Sequence, residues 1–287
     1  MNALTPHIDF MKLADAEAVL TDIARQLRAG TMVPYLGPGL AELSEPAVPM
    51  NPEALAAFFA TKVALPRRAK GNAWASAQHI ESMKHRSTVT VLMNEAFAAP
   101  VSPTALHRHL AALKLPMIVD TWYDGAMRAA LAEGGDWGEV QGITRAGIGE
   151  DRWYRFYDAS GAEADRVAAT TWETLLYKPH GSVVPAKNFL ISDADYVEVL
   201  TEIDIQTPIP DAVKNRRAER NFLFIGCRFN DQLLRTYARQ ITKRSAAPHY
   251  ALVEPETLSK NELRFLTSQG LMPIAVPLAR ACEILCA

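Results

Sequence analysis

His180 stands between Pro179 and Gly181, immediately after an apolar run at residues 174–177. An imidazole titrates near neutrality, and one held by backbone restraint at a strand end, open to a crevice, can take or give a proton. His180 is therefore the best general-base candidate in the chain. The other six of the seven histidines lack such a setting. His107 and His109 lie two residues apart on one predicted helix and face different directions, which makes them poor co-ligands for a metal, and His7, His79, His85 and His249 carry no spacing signal. Gly37-Pro38-Gly39 closes a second apolar run, residues 31–36. Glycines after a strand let the backbone approach a pyrophosphate, while Pro38 removes one amide donor, and as an isolated tripeptide the segment reads equally as a plain turn. Asp124 opens a predicted helix after the run at 117–120 and reads first as a cap favoured by the helix dipole, second as a ribose or catalytic contact. Asp231 divides the same way. The three cysteines, Cys227, Cys282 and Cys286, supply neither a four-thiolate zinc site nor an even disulfide framework, so no metal is expected. Cys282 and Cys286 share a helical face and read as small buried side chains.

These residues need elements to hold them. Ala18, Val19, Ile23 and Leu27 recur at helical spacing across residues 15–29, and Gly30 stands where that helix stops. Residues 46–113 read as a helical block with proline punctuation, with helices at 53–64, 73–83, 88–98 and 104–113, inserted between two strands as a cap. A helix is expected at 124–133, ended by Gly134-Gly135. The aromatic alternation from Trp153 to Tyr157 predicts a strand running into a hairpin turn at Ser160-Gly161. Strands are expected at 174–177, 222–225, 250–253 and 272–276, with helices at 231–241, at 260–268 and at the end of the chain.

Short buried strands alternating with helices imply an α/β fold, a Rossmann-like doubly wound parallel sheet with a helical insertion, built as one domain over 1–287. Ligands in that architecture sit at the carboxyl ends of the strands, and Gly37, Asp124, His180 and Gly226 all follow predicted strands, which predicts that they line one crevice. A formal charge of −2 leaves no basic stripe for a phosphate backbone, although Arg216, Arg217 and Arg220 cluster on a predicted surface loop, so nucleic acid is not an expected partner. No apolar run approaches the roughly 20 residues that span a bilayer, and the amino terminus lacks the order of a secretory signal, so the expected location is cytoplasmic, away from membranes.

Five segments, in order, resemble the prokaryotic sirtuin-like domain that is related to sirtuins but lacks their zinc module. Leu27 to Gly30 leading into Tyr35-Leu36-Gly37-Pro38-Gly39 is similar to that family's glycine-rich nucleotide loop. Leu106-His107 through Val119, then Thr121-Trp122-Tyr123-Asp124, resembles its helix, strand and Thr-Asn-Tyr-Asp motif. Lys178-Pro179-His180-Gly181-Ser182 resembles the stretch whose histidine is the catalytic base. Ile191 to Tyr196 resembles the segment that follows it, and Leu223 to Asp231 the late strand and turn beside the adenosine half of NAD. The resemblance implies NAD or ADP-ribose as ligand without zinc, a cofactor contact set of Gly37, Pro38, Gly39, Thr121, Gly226, Cys227 and Asp231, and a catalytic set of His180, Asp124 and the position of Trp122. That last position departs from the pattern. Tryptophan stands in place of the family's catalytic asparagine, and an indole lacks a carboxamide's paired donor and acceptor. Ala41 likewise stands where a serine usually follows the loop.

Two functions follow from the resemblance. One is an NAD glycohydrolase that releases nicotinamide with His180 as base, protein deacetylation being the less favoured chemistry. The other is a catalytically impaired module that binds a nucleotide, a protein partner or a second copy of itself. An unrelated scaffold on a generic doubly wound fold is the third expectation.

Overall fold

The computed structural model describes residues 10–144, 153–203 and 209–287, so His7 lies outside the described residues. Helix α1 (Leu13–Arg28) buries Leu20, Ile23 and Leu27 and passes through Gly30 into strand β1 (Met32–Leu36), whose five residues are all buried. A short helix, α2 (Pro38–Glu42), follows, then α3 (Pro52–Lys62), α4 (Ala73–Lys84), α5 (Arg86–Ala96) and α6 (Ala105–Ala112). Next come β2 (Met117–Asp120), α7 (Ala126–Leu131), β3 (Trp137–Gly142), β4 (Tyr154–Asp158), β5 (Glu163–Ala164), β6 (Thr174–Lys178) and the two-residue strands β7 (Gly181–Ser182) and β8 (Asn188–Phe189). The chain ends with α8 (Asp193–Ile203), α9 (Asp211–Arg217), β9 (Asn221–Ile225), α10 (Gln232–Thr242), β10 (His249–Val253), α11 (Lys260–Gln269), β11 (Leu271–Ala275) and α12 (Leu278–Cys286).

Among the described residues one nine-stranded sheet runs in the order β11-β10-β9-β1-β2-β6-β3-β4-β5. All neighbours pair in parallel except β3 with β4 and β4 with β5, which form an antiparallel edge through the hairpin expected at Ser160-Gly161. Helices wrap both faces, as the alternation of elements predicted. Leu36, Ile118, Leu176, Ile225 and Ile274 pack under α1, α6, α7 and α12, while Tyr35, Val119, Tyr177, Phe224 and Ala251 pack under α9, α10 and α11. Helices α3, α4 and α5 carry a third core with Trp122, Tyr123, Phe189, Tyr196 and Tyr237, all of which follow or flank the carboxyl ends of strands. That core lies against the segments that leave β2 and β6 at their carboxyl ends. Helix α6 packs on the sheet against α7 and α12 instead, so the helices of 46–113 divide between two layers.

Several elements escape the sequence pattern, among them β3, α8 and α9. Strand β3 pairs with β6 deep in the sheet although four of its six residues, Trp-Gly-Glu-Val-Gln-Gly, are polar or glycine. Its buried Glu139 is paired with Arg128 and accepts from Gln141 Nε2, which neutralises it in place. Helix α8 and helix α9 were also not anticipated. Helix α9 overturns the surface-loop reading of the arginines. Arg216 donates to the carbonyls of Pro116, Ala169 and Trp172, Arg217 to those of Gln240 and Ile241, and Arg220 to that of Gly30. These guanidiniums satisfy carbonyls at element ends and tie neighbouring segments together. No helix among the described residues is long and apolar enough to cross a membrane.

Candidate functional site

β1 is flanked by β2 on one side and β9 on the other, so the chain reverses its winding direction at the β1/β9 boundary, the point where open α/β sheets form a crevice. The turns leaving these two strands lock together there. Gly37 N–H donates to Ile225 O at 2.8 Å and Gly39 N–H to Gly226 O at 3.0 Å. A methyl on Gly37 would lie 2.3 Å from Gly226 O, and one on Gly226, whose φ is 63°, would lie 2.4 Å from Leu40 N. The space that these glycines leave is thus filled by the opposite turn, and two amides expected to face a pyrophosphate are already bonded to carbonyls.

Beyond the locked turns opens a cavity of about 640 Å³. Its walls are the Gly37-Pro38-Gly39 turn, Thr121 and Trp122, the start of α3, residues 226–230, the end of β10 and the start of α12. Leu252, Val276, Leu278, Phe229 and Trp122 give it apolar surface, while Glu42, Glu53, Glu254, Asn51 and Asn230 supply polar groups. Arg228 reaches it too, but its Nε and Nη2 hold both carboxylate oxygens of Glu262 at 2.9 and 3.0 Å. Glu262 also accepts from Phe229 N and Ser259, and these bonds hold its carboxyl down to about 2 against the opposing cost of burial. Helix α3 is capped by Asn51, whose side chain accepts from Ala54 N, and carries Glu53 in its first turn. Helix α12 enters at Leu278 with no side-chain cap and no acid in its first turn, so its positive end is unanswered.

Of the residues expected to hold a nucleotide, Gly37, Pro38, Gly39, Thr121, Gly226 and Cys227 line this cavity, and Trp122 does as well. Thr121 spends both its N–H and its hydroxyl on Leu36 O, at 3.0 and 2.9 Å. The Cys227 thiol, pushed up by burial, donates to Tyr35 O. Asp231 sits behind the wall as the cap of α10, its Oδ1 accepting from Leu233 N at 2.7 Å, which is the cap role placed first in the sequence reading. Trp122 is 3% exposed and its Nε1–H donates to Pro49 O at 2.9 Å, so the indole ties the cap to the end of β2.

Asp124 and His180 lie at the same sheet edge but outside the lining of the cavity, so the four-residue crevice expected from strand order contains only Gly37 and Gly226. Asp124 is buried, and its Oδ1 accepts from Ala126 N at 2.8 Å. Burial first, then the neighbouring Asp120, raises its carboxyl to about 6, while Lys178 opposes. Lys178 itself is buried and donates from Nζ to Asp120 Oδ2 at 2.7 Å and to the Asp124 carbonyl at 3.0 Å, which makes it a brace between β6 and β2.

His180 is only 2% exposed. The expectation of an imidazole open to a crevice fails because two tyrosines distant in sequence close over it. Its Nδ1 meets Tyr196 Oη at 3.1 Å, and its ring lies 4.4 Å from that of Tyr237, centroid to centroid. Tyr196 Oη also reaches Leu190 O at 3.1 Å, a carbonyl that accepts from Tyr123 Oη at 2.6 Å. Tyr196 Oη thus bridges the imidazole and the Leu190 carbonyl. Nε2 has no hydrogen-bond partner among the described residues. Burial, reinforced by the Lys178 charge, lowers the imidazole to about 3, so the ring is neutral throughout the physiological range.

Sequence reasoning missed Glu254, Asn51 and Asn230. Glu254 carried a usable signal, an acid directly after the strand ending in Val253, the position from which a carboxylate can accept from a ribose diol. Asn51 and Asn230 gave none, since an asparagine just ahead of a helix is ordinary capping chemistry. Among the described residues no group of three or more histidine, cysteine, aspartate or glutamate side chains could hold a metal ion. No curated protein matches the sequence. The profile of the SIR2-like domain family matches residues 116–274, from the start of β2 through most of β11. That span covers more than half of the 287 residues and includes β6, His180 and the β9 turn, and the chain belongs to the SIR2-like domain family.

Proposed function

We propose that the chain is a nucleotide-binding module of the NAD and ADP-ribose class that does not release nicotinamide in the conformation described here. One observation carries this reading: the cavity at the β1/β9 switch point ends at Trp122, while the imidazole of His180 lies outside it beneath Tyr237. A general base must come within hydrogen-bond reach of the proton it removes, directly or through one water. A ligand in the cavity meets an indole whose only donor is already bonded to Pro49 O.

The residues present fit a dinucleotide at its adenosine side. Glu254 stands where a carboxylate accepts from a ribose diol, Leu252 and Val276 offer apolar surface, and the uncapped start of α12 offers amides and a positive dipole end to phosphate. NAD brings a glycosidic bond to a positively charged leaving group. The protein's own part is to bind and orient it, and no proton acceptor in the cavity is placed by the residues named for catalysis. A second reading, NAD hydrolysis, draws on Nε2 of His180, which has no hydrogen-bond partner among the described residues, on a neutral ring held by Tyr196. Both readings require binding. ADP-ribose or NAD at millimolar concentration should raise the melting temperature, because a ligand that favours the native state stabilises it by mass action. No shift would overturn both readings.

A further inference from the structure

A second, much smaller void of about 10 Å³, room for roughly one water, lies behind the main cavity and is lined by Tyr35, Tyr177, Pro179, Tyr237 and Gln240 among others. Tyr35 lines both spaces. Tyr35 therefore stands where the two spaces adjoin, and Tyr237, which lines the smaller one, packs on His180, whose chain neighbour Pro179 forms part of the same wall. The partition is thin along the helix as well. On α10, Leu234 faces the main cavity, and Tyr237, one turn later, packs on the imidazole. Two buried polar atoms at this partition, His180 Nε2 and Tyr237 Oη, have no hydrogen-bond partner among the described residues. Native interiors pair such groups almost always, and an unpaired pair at a site boundary calls for an explanation.

We propose that the ring of Tyr237 is a plug that divides the nucleotide cavity from His180, and that its removal joins the two spaces, so that a ligand in the cavity reaches Nε2. The inference rests on the cavity being the nucleotide site. It assigns the hydrolytic silence to one removable side chain in addition to Trp122. The base is held on its other side, where Tyr196 Oη meets Nδ1 and is itself anchored on Leu190 O.

The test is labelling by diethyl pyrocarbonate at neutral pH, which acylates accessible neutral imidazoles, read residue by residue by peptide mass spectrometry with exposed His85 as internal standard. In the native protein His180 should stay unlabelled while His85 reacts. Tyr237→Ala should raise His180 labelling at least about tenfold relative to His85, and bound ADP-ribose should then protect it. Tyr237→Phe, which keeps the ring, should behave as native. If the alanine variant does not fold, Tyr237→Leu is read in its place. Native His180 labelled at the rate of His85, or a folded alanine or leucine variant with His180 still silent, overturns the proposal. Labelling that ADP-ribose fails to protect, despite a melting shift that proves binding, overturns the proposal alone. Absence of any melting shift overturns the reading of the cavity and the proposal with it.

Discussion

Lowering the pH should destabilise this protein through His180 in a way that one substitution removes. The folded state holds the ring neutral down to about 3, whereas an unfolded histidine takes up its proton near 6.5. Between those values the unfolded chain binds one more proton than the folded protein, so stability falls as the pH drops below 6.5 and continues to fall toward 3. From pH 7.5 to pH 5 the loss is about 2 kcal/mol, a figure fixed by the unfolded titration alone once the folded ring stays neutral at pH 5. His107, lowered to about 4 by burial, and His109 and His249, also lowered by burial, add losses of their own. These cancel in a comparison of the native protein with His180→Gln. Urea unfolding of both proteins at the two pH values gives four free energies. The native protein should lose about 2 kcal/mol more than the variant. A difference below about 0.5 kcal/mol would mean that the folded protein protonates His180 above pH 5, and that Tyr196 and Tyr237 do not seal it.

Two further substitutions probe the cavity walls. Trp122→Asn removes the bond to Pro49 O and the ring contacts with Phe97 and Tyr123, and should cost about 3 kcal/mol in urea unfolding without any nicotinamide release. A gain of release that disappears with His180→Ala would refute that expectation. Gly226→Ala imposes a left-handed backbone on alanine, a cost of roughly 1–2 kcal/mol, and drives a methyl into Leu40 N, so the melting temperature should fall and the ADP-ribose shift should vanish. An unchanged melting temperature would show that the two turns are not locked as described.

Much of the sheet was legible because its strands are short apolar runs bounded by glycine or capping residues. Val33 to Leu36 before Gly37, Phe222 to Ile225 before Gly226, and Asp231 as the cap of α10 all stand where local chemistry puts them. Strand β3 was not legible, since Glu139 and Gln141 reverse the burial signal until Arg128 and the Val184 carbonyl are seen beside them. Glycine was ambiguous in the same way: Gly138 lies on β3 because the Trp172 ring presses on it, not because the chain turns. The site was legible by position only. His180 falls at the right sheet edge, but its closure depends on Tyr196 from α8 and Tyr237 from α10, whose arrival no local pattern announces. The arginines of α9 and its exit read as surface because the carbonyls that they satisfy come from distant segments such as Gly30 and Trp172.

The central claim, nucleotide binding without turnover, is tested most directly by incubating the purified native protein with NAD, then measuring free nicotinamide and the nucleotide that co-elutes with the protein in one sample. Intact NAD should be recovered with the protein, and nicotinamide should not exceed the protein-free control. Catalytic release of nicotinamide by the native protein, abolished by His180→Ala, would contradict the claim and establish the hydrolytic reading in its place.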